Sequence, residues 1–412
     1  MSDPAPLAVL RDACTGFGRI GIAVSGGGDS VAALVLAVEA LGAERVAAVT
    51  VDHGLRVEAA AEAAGVAALC ARLGVAHDVL RWEGGAGGGN LMDRARSARL
   101  ALIGGWAQGG VGAVVLGHTL DDQAETLLMR LARGSGVDGL SGMVAEREAA
   151  GVRWLRPFLG VTRAALREEL TARGVAWVED PSNADPRYLR VRARNALAAL
   201  ADLGIDAQGL AATARRMRRA RQALEGATQR ALDELVQADR GTLRVDAAAA
   251  SLSEEIRDRL FAHLLMDLSG AAYRPRHDEL QRLIEAGQGT LTGCVLAPEN
   301  GRWRLFREAR AVAGLSAPSG GIWDGRWRAE GQGGAEIRAL GEAGLAILSR
   351  QSSAGLHPHW RATGLPAALL AGLPALWRDG VLIAAPLAEW PQGWSLTARP
   401  VAAICHTTSQ SH

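Results

Sequence analysis

Between residues 18 and 180, strand-like and helix-like segments alternate, and this alternation limits the fold more than any other feature of the chain. Strand candidates are Arg19–Val24, Val46–Val51, Val75–Leu80 and Ala113–Leu116, and Ala-rich helical stretches fall at Val31–Leu41, Ala59–Arg72, Leu91–Ala107 and Ala124–Arg133. Short apolar strands separated by helices of this length predict an α/β fold with a doubly wound, mostly parallel sheet. Ligands of such sheets sit beyond the carboxyl ends of the strands. Three polar clusters fall there: Ser25–Ser30, Asp52–Arg56 and Gly117–Glu125. Their positions predict convergence on one crevice.

The first cluster is the most specific. Ser25-Gly26-Gly27-Gly28-Asp29-Ser30 joins an apolar run to a helix. Backbone N–H groups, the helix dipole and the missing Cβ atoms make such a turn an anion site. Its two hydroxyls can donate to phosphate oxygens, and the Asp29 carboxylate can hold a Mg²⁺ ion that bridges them. The order Ser-Gly-Gly-x-Asp-Ser resembles the pyrophosphate-binding loop of ATP pyrophosphatases, which split ATP into AMP and pyrophosphate. The chain has no lysine; all 45 basic residues are arginine. A Walker A loop, which needs its lysine, is therefore excluded, as is a lysine Schiff base.

At 412 residues the chain predicts two or three domains. We expect a catalytic domain over 1–199, a mainly helical substrate-binding domain over 200–315, and a small β-containing domain over 316–412. Ser316–Gly321 is the expected linker. In the middle region, Ser251 and Glu254 read as a capping box before Ile256, Leu260, Leu264 and Leu268. His277–Ala286 reads as a helix closed by Gly287, and Glu299-Asn300-Gly301 as a hairpin turn. No apolar run is long enough for a membrane span, and the start Met1-Ser-Asp-Pro lacks a signal core. Cys14, Cys70, Cys294 and Cys405 are scattered, which predicts neither a metal knuckle nor a redox pair. The expected compartment is the cytoplasm.

Gly117-His118-Thr119-Leu120-Asp121-Asp122-Gln123-Ala124-Glu125-Thr126 brings an imidazole and three carboxylates to a strand–helix junction. On a helix starting near Asp121, Asp122 and Glu125 share a face. Asp121 could equally be a plain N-cap, and His118 a packed or capping residue. Arg133, beside Gly134 and Gly136, reads either as a phosphate ligand or as the basic end of a helix. Further along, Arg187 to Arg230 holds ten arginines against Asp202, Asp206 and Glu225. In a chain of net charge +1, this run gathers positive potential as an RNA backbone requires, although a solvated helix face would also produce it.

Taken together, these segments resemble the tRNA(Ile)-lysidine synthetase family. The resemblance is carried by SGGGDS (25–30), VDHGLR (51–56), GHTLDDQAET (117–126), RLARGSG (130–136), RPF (156–158) and EDPSNADPRYLRVRAR (179–194). TLTGCV (290–295) and WRLFRE (303–308) support it. It implies a ligase that uses ATP and Mg²⁺ to adenylate the C2 carbonyl of the wobble cytidine in a CAU-anticodon tRNA(Ile). The amine of L-lysine then displaces AMP to form lysidine. It further implies ATP contacts from Ser25, Gly26, Gly27, Gly28, Asp29, Ser30 and His53, with Asp29 as the Mg²⁺ ligand. Asp122 would be the base, Arg133 the charge on departing pyrophosphate, and Glu125 the partner of the lysine ammonium. His118, Asn183, Arg190, Arg192 and Arg194 would face lysine, cytidine or tRNA. A homodimer stays open as an assembly.

Two positions depart from the family pattern. Gly28 fills a loop position where relatives carry a larger residue, and Leu100 replaces the tyrosine of an ARxxRY pattern at 95–100. The competing readings are a thiolase-type tRNA-modifying enzyme on the same loop, which the scattered cysteines disfavour, and a non-catalytic RNA-binding protein, which leaves the loop and the carboxylates unexplained.

Overall fold

The computed structural model describes residues 5–54, 59–82, 84, 91–149, 151–179 and 185–404. The chain divides into two compact units, residues 1–221 and 222–412. The first unit runs α1 (Pro6–Ala13), β1 (Ile20–Ala23), α2 (Gly28–Leu41), β2 (Val46–Asp52), α3 (Ala59–Leu73), β3 (Ala76–Arg81), α4 (Leu91–Ala107) and β4 (Ala113–Val115). It continues with α5 (Leu120–Leu131), α6 (Val137–Leu140), β5 (Glu146–Ala149), β6 (Val152–Leu155), α7 (Arg163–Ala172), α8 (Leu189–Leu200) and α9 (Ala207–Leu235), the last crossing the division.

Its sheet has the order β3-β2-β1-β4-β6-β5. All neighbours are parallel except the edge hairpin β5–β6. Successive strand residues face opposite sides, so Ala113 and Val115 join one apolar cluster with Ile20, Ile22, Val46 and Ala48. That side is covered by Leu34, Leu166 and Leu170. Val114 points the other way and packs with Val49, Trp154 and Ile103. Strand order reverses between β1 and β4, the switch point where such sheets open a crevice. The loops after β1 and β4 carry Ser25–Ser30 and Gly117–Glu125, so the expected convergence occurs there.

Several local expectations shift. Helix α2 starts at Gly28 rather than Val31, so half of the glycine-rich turn is already helical. Helix α5 starts at Leu120, and its N-cap is Thr119, not Asp121. Strands β5 and β6 were not read from the sequence. Their alternation is blurred because β5 is Glu-Arg-Glu-Ala.

The second unit contains β7 (Val236–Asp239), β8 (Thr242–Asp246), α10 (Glu254–Ser269), α11 (His277–Ala286), β9 (Gly289–Leu291), β10 (Cys294–Glu299) and β11 (Arg302–Arg307). It ends with α12 (Ala309–Val312), β12 (Ser316–Pro318), β13 (Trp327–Glu330), β14 (Glu336–Ala339), α13 (Gly341–Ser353), α14 (Ala367–Gly372), β15 (Pro374–Arg378), β16 (Val381–Ala384) and β17 (Ser395–Ala398). The region expected to be mainly helical holds a five-stranded antiparallel sheet, β7-β8-β11-β10-β9. Its β10–β11 hairpin turns at Asn300 and Gly301, both at positive φ, as an Asn-Gly turn requires. The capping box is displaced: Ser253 is the N-cap of α10 and makes no side-chain cap bond, while Ser251 ends a short 3₁₀ turn. The expected linker Ser316–Gly321 instead contains β12, paired with β14. Two apolar clusters fill the unit, one around Phe261 and Leu305, the other around Trp323, Trp327 and Leu376. Among the described residues, no helix is long and apolar enough to cross a membrane.

Candidate active site

The glycine-rich loop is held by its own hydroxyls. The Ser25 backbone N–H donates to Ser30 Oγ at 3.1 Å, and Ser30 Oγ donates to the Gly27 carbonyl at 2.9 Å. Gly26 sits at φ +87°, in the left-handed region that favours glycine. Gly117, at the end of β4, lies against this loop: a Cβ there would stand 2.8 Å from the Asp29 carbonyl oxygen. Only glycine lets the residue after β4 lie so close to the first turn of α2.

Helix α5 supplies the facing wall. Thr119 and Asp122 form a capping box, in which the Thr119 N–H and hydroxyl donate to Asp122 Oδ2 at 2.8 and 3.0 Å. This fixes the carboxylate and leaves Oδ1 toward the cleft. One residue then draws the carboxylates together. Arg163, the first residue of α7, places Nε 3.1 Å from Asp29 Oδ2, one terminal nitrogen 3.2 Å from Asp122 Oδ1 and the other 3.4 Å from Glu125 Oε1. Its backbone N–H donates to Asp121 Oδ2 at 2.7 Å. Asp121 thus satisfies a free first-turn N–H of α7, whose N-cap is Thr162, rather than capping its own helix.

Glu125, with a side chain only 1 % exposed, also takes Arg190 and Arg194, each through Nε at 2.9 Å. Residues 190 and 194 share one face of α8, one turn apart. Burial raises the Asp122 carboxyl, but Arg190, Arg163 and the Thr119 backbone outweigh it and hold the carboxyl below its usual range. Burial pushes Asp29 up to about 6 against the opposing pull of Arg163, and nearby Asp122 adds to the rise. Its buried Oδ1 has no hydrogen-bond partner. Burial also takes His118 down to about 3, so its imidazole is neutral, and its Nδ1 is likewise without a partner. The cleft, of about 390 Å³, is lined by Ser25, Gly27–Ser30, Gly117, His118 and Asp122 on its acidic and loop sides. Arg99, Arg163, Arg167, Arg190 and Arg194 complete a strongly cationic lining. Such a cavity suits a polyanion.

Residues 7–201 match the PP-loop domain family. Over 387 residues the chain is 46 % identical to the tRNA(Ile)-lysidine synthase of Ruegeria pomeroyi, an alignment spanning 92 % of this chain and 90 % of that protein. The chain belongs to the tRNA(Ile)-lysidine synthase family. Other lysidine synthases match at 41 % identity over 284 residues (Methylobacterium sp., 68 % of this chain and 82 % of that one) and 36 % over 370 residues (Rhizobium meliloti, 82 % and 79 %).

Of the residues that the lysidine-synthase resemblance implies, the structure gathers most but not all into one cleft. Ser25, Gly27, Gly28, Asp29, Ser30, His118, Asp122, Arg190 and Arg194 line it, with Glu125 bound to its arginines; Gly26 shapes the loop without lining it. Arg133 does not arrive there. It is exposed past the end of α5, about 16 Å along the helix from Asp122 at the usual rise per residue. Arg192 is exposed on the face of α8 opposite Arg190 and Arg194. His53 stands at the end of β2, edge-on to Trp82 at 6.0 Å, and is not among the lining residues; burial and then Arg99 lower its pKa. Asn183 lies outside the described residues. Sequence reasoning missed Arg99, Arg163 and Arg167. Arg163 gives no local cue beyond following Thr162, the N-cap of α7, because its partners lie 38 to 134 residues away. Cys14, Cys70 and Cys294 are buried, and burial raises the thiol of each, which disfavours the sulfur-transfer reading.

Proposed function

We propose that the cleft between β1 and β4 performs both halves of lysidine formation on the wobble cytidine of a CAU-anticodon tRNA(Ile). In the first half, the cytidine C2 oxygen attacks the α-phosphorus of ATP and pyrophosphate leaves. In the second, the amine of L-lysine attacks C2, loses its proton, and the C2 oxygen departs with AMP. The observation that supports this most directly is the meeting of Asp29, Asp122 and Glu125 at the Arg163 guanidinium, which joins the phosphate loop and the acidic helix in one site.

The loop N–H groups at the start of α2 hold the phosphates. Arg163 takes the part first given to Arg133, and with Arg99 and Arg167 it faces charge that develops on pyrophosphate. The lysine ammonium carries the same charge as the guanidinium, so it would take the place of Arg163 between Asp122 and Glu125. Asp122 Oδ1, held toward the cleft by the capping box, receives the amine proton. The unpartnered Oδ1 of Asp29 is a hard oxygen donor fitted to Mg²⁺. Bound there, the ion would neutralise phosphate charge. Arg215, Arg216 and Arg219 on α9 are exposed with no acidic residue between 207 and 221, and we assign them to the tRNA backbone. The region 316–412 is assigned as a further tRNA-binding domain.

Pyrophosphate release should require a CAU-anticodon tRNA, and isotopically labelled lysine should appear in the digested tRNA. Equal release with any tRNA, or sulfur in the product in place of lysine, would overturn this reading. Asp29→Ala should abolish adenylation and leave tRNA binding nearly intact.

A further inference from the structure

The segment that leads into α8 is built onto the phosphate loop. The Val178 N–H donates to the Gly26 carbonyl at 3.1 Å, and Val178 forms an isolated parallel bridge with Gly27. One residue earlier, the Trp177 indole covers Gly28: a Cβ on Gly28 would lie 3.2 Å from Trp177 Cδ1 and 3.3 Å from its Nε1. The indole is itself fixed, since Nε1 donates to Glu179 Oε1 at 2.9 Å and Glu179 pairs with Arg167 at 2.8 Å. The ring also packs on the core cluster beneath the sheet.

These contacts touch consecutive loop residues, Gly26, Gly27 and Gly28, whose peptide planes set where the phosphate-facing N–H groups point. Gly28 is the first residue of α2, and its φ is not positive, so an alanine would suit its backbone. What crowds a side chain there is the indole, which would have to give by a few tenths of an ångström. The departure noted in the sequence therefore has a partner 149 residues away.

We propose that Trp177 is a positioning residue for the phosphate loop, and that the bare Cα of Gly28 is the seat that lets the 177–179 strap dock and orient the ATP-binding amides. This rests on the reading of the loop as the ATP site. The strap aligns the loop, and Trp177 itself does not line the cleft.

A double-mutant cycle tests it. In the native chain, Gly28→Ala should weaken ATP binding about tenfold, because the added methyl overpacks the indole. Trp177→Ala should weaken it by a similar factor through loss of the strap. In the double variant, Gly28→Ala should add nothing, because the ring it strikes is gone. ATP binding is read by calorimetric titration without tRNA, beside KM for ATP and for lysine in the full reaction. KM for ATP should rise while KM for lysine holds, which general loosening of the fold would not produce. If Trp177→Ala does not fold, Trp177→Leu, which keeps an apolar filler, replaces it in the same cycle. Equal losses from Gly28→Ala with and without the indole, or no loss in the native chain, overturn the proposal. A native chain that binds ATP but yields no lysidine overturns only the proposed function; one that binds no ATP removes both.

Discussion

At the level of single side chains, the cleft is a matter of charge held in place. Arg163 is 17 % exposed and faces three carboxylates, so its loss leaves like charges crowded with fewer counter-charges. Arg163→Gln should cut pyrophosphate release about 10²- to 10³-fold, in line with removal of a fixed donor at developing charge. Arg133→Gln, an exposed change away from the cleft, should stay within about twofold. Steady-state rates on both variants check the pair; the reverse order would restore the first assignment. His118 makes a second test. Its folded pKa, about 3, lies below the unfolded value near 6.5, so the unfolded chain takes up a proton first as pH falls. Stability is therefore lost through that window, by about 2 kcal/mol between roughly pH 6.5 and 4.5. His118→Asn should flatten the loss in urea unfolding followed against pH. Local chemistry at 25–30 and 117–126 was readable because each set of partners is contiguous in the chain. Arg163 was not, because nothing in its neighbourhood distinguishes it from an ordinary first-turn residue.

Among elements, α5 does the most for the site. Its capping box both satisfies free N–H groups and aims Asp122, so the same bonds serve stability and chemistry. Thr119→Ala should cost about 1–2 kcal/mol, seen as a lower urea midpoint at unchanged slope. It should also lower kcat, as the Asp122 carboxylate loses one of its two anchors and keeps only the Thr119 N–H. Thr119→Ser, which keeps the hydroxyl, should restore most of both. A stability loss without a fall in kcat would separate the cap from the chemistry. Strands β1 to β4 and the helices between them were readable because their apolar content follows element period. The β5–β6 hairpin was not, since charged residues occupy three of the four positions in β5. Ser251 misled because two serines precede α10, and the one nearer the helix is the N-cap.

For the molecule as a whole, the sequence is neutral while its positive charge is local. Arg218 is tied down, donating to the carbonyls of Ser141 and Met143, so Arg215, Arg216 and Arg219 are the exposed arginines in the first half of α9. Replacing any one of these three by glutamine should lower the slope of log K against log salt for tRNA by about one. An unchanged slope would mark the face as merely solvated. The division of the chain was harder to read than its chemistry. The boundary placed near residue 199 falls ahead of α9, a helix whose period continues past residue 221 without a breaker. The expected linker at 316 was a strand, because Ser, Ala and Pro suit an edge position as well as a loop.

The absence of a side chain at Gly117 has a mechanical corollary. With the Asp29 backbone of α2 closed onto the end of β4, the helix start and the strand end meet without slack at the floor of the cavity. Room for a nucleotide, a base and an amino acid must then come from guanidinium arms swinging aside, since the sheet beneath them has no seam along which to part.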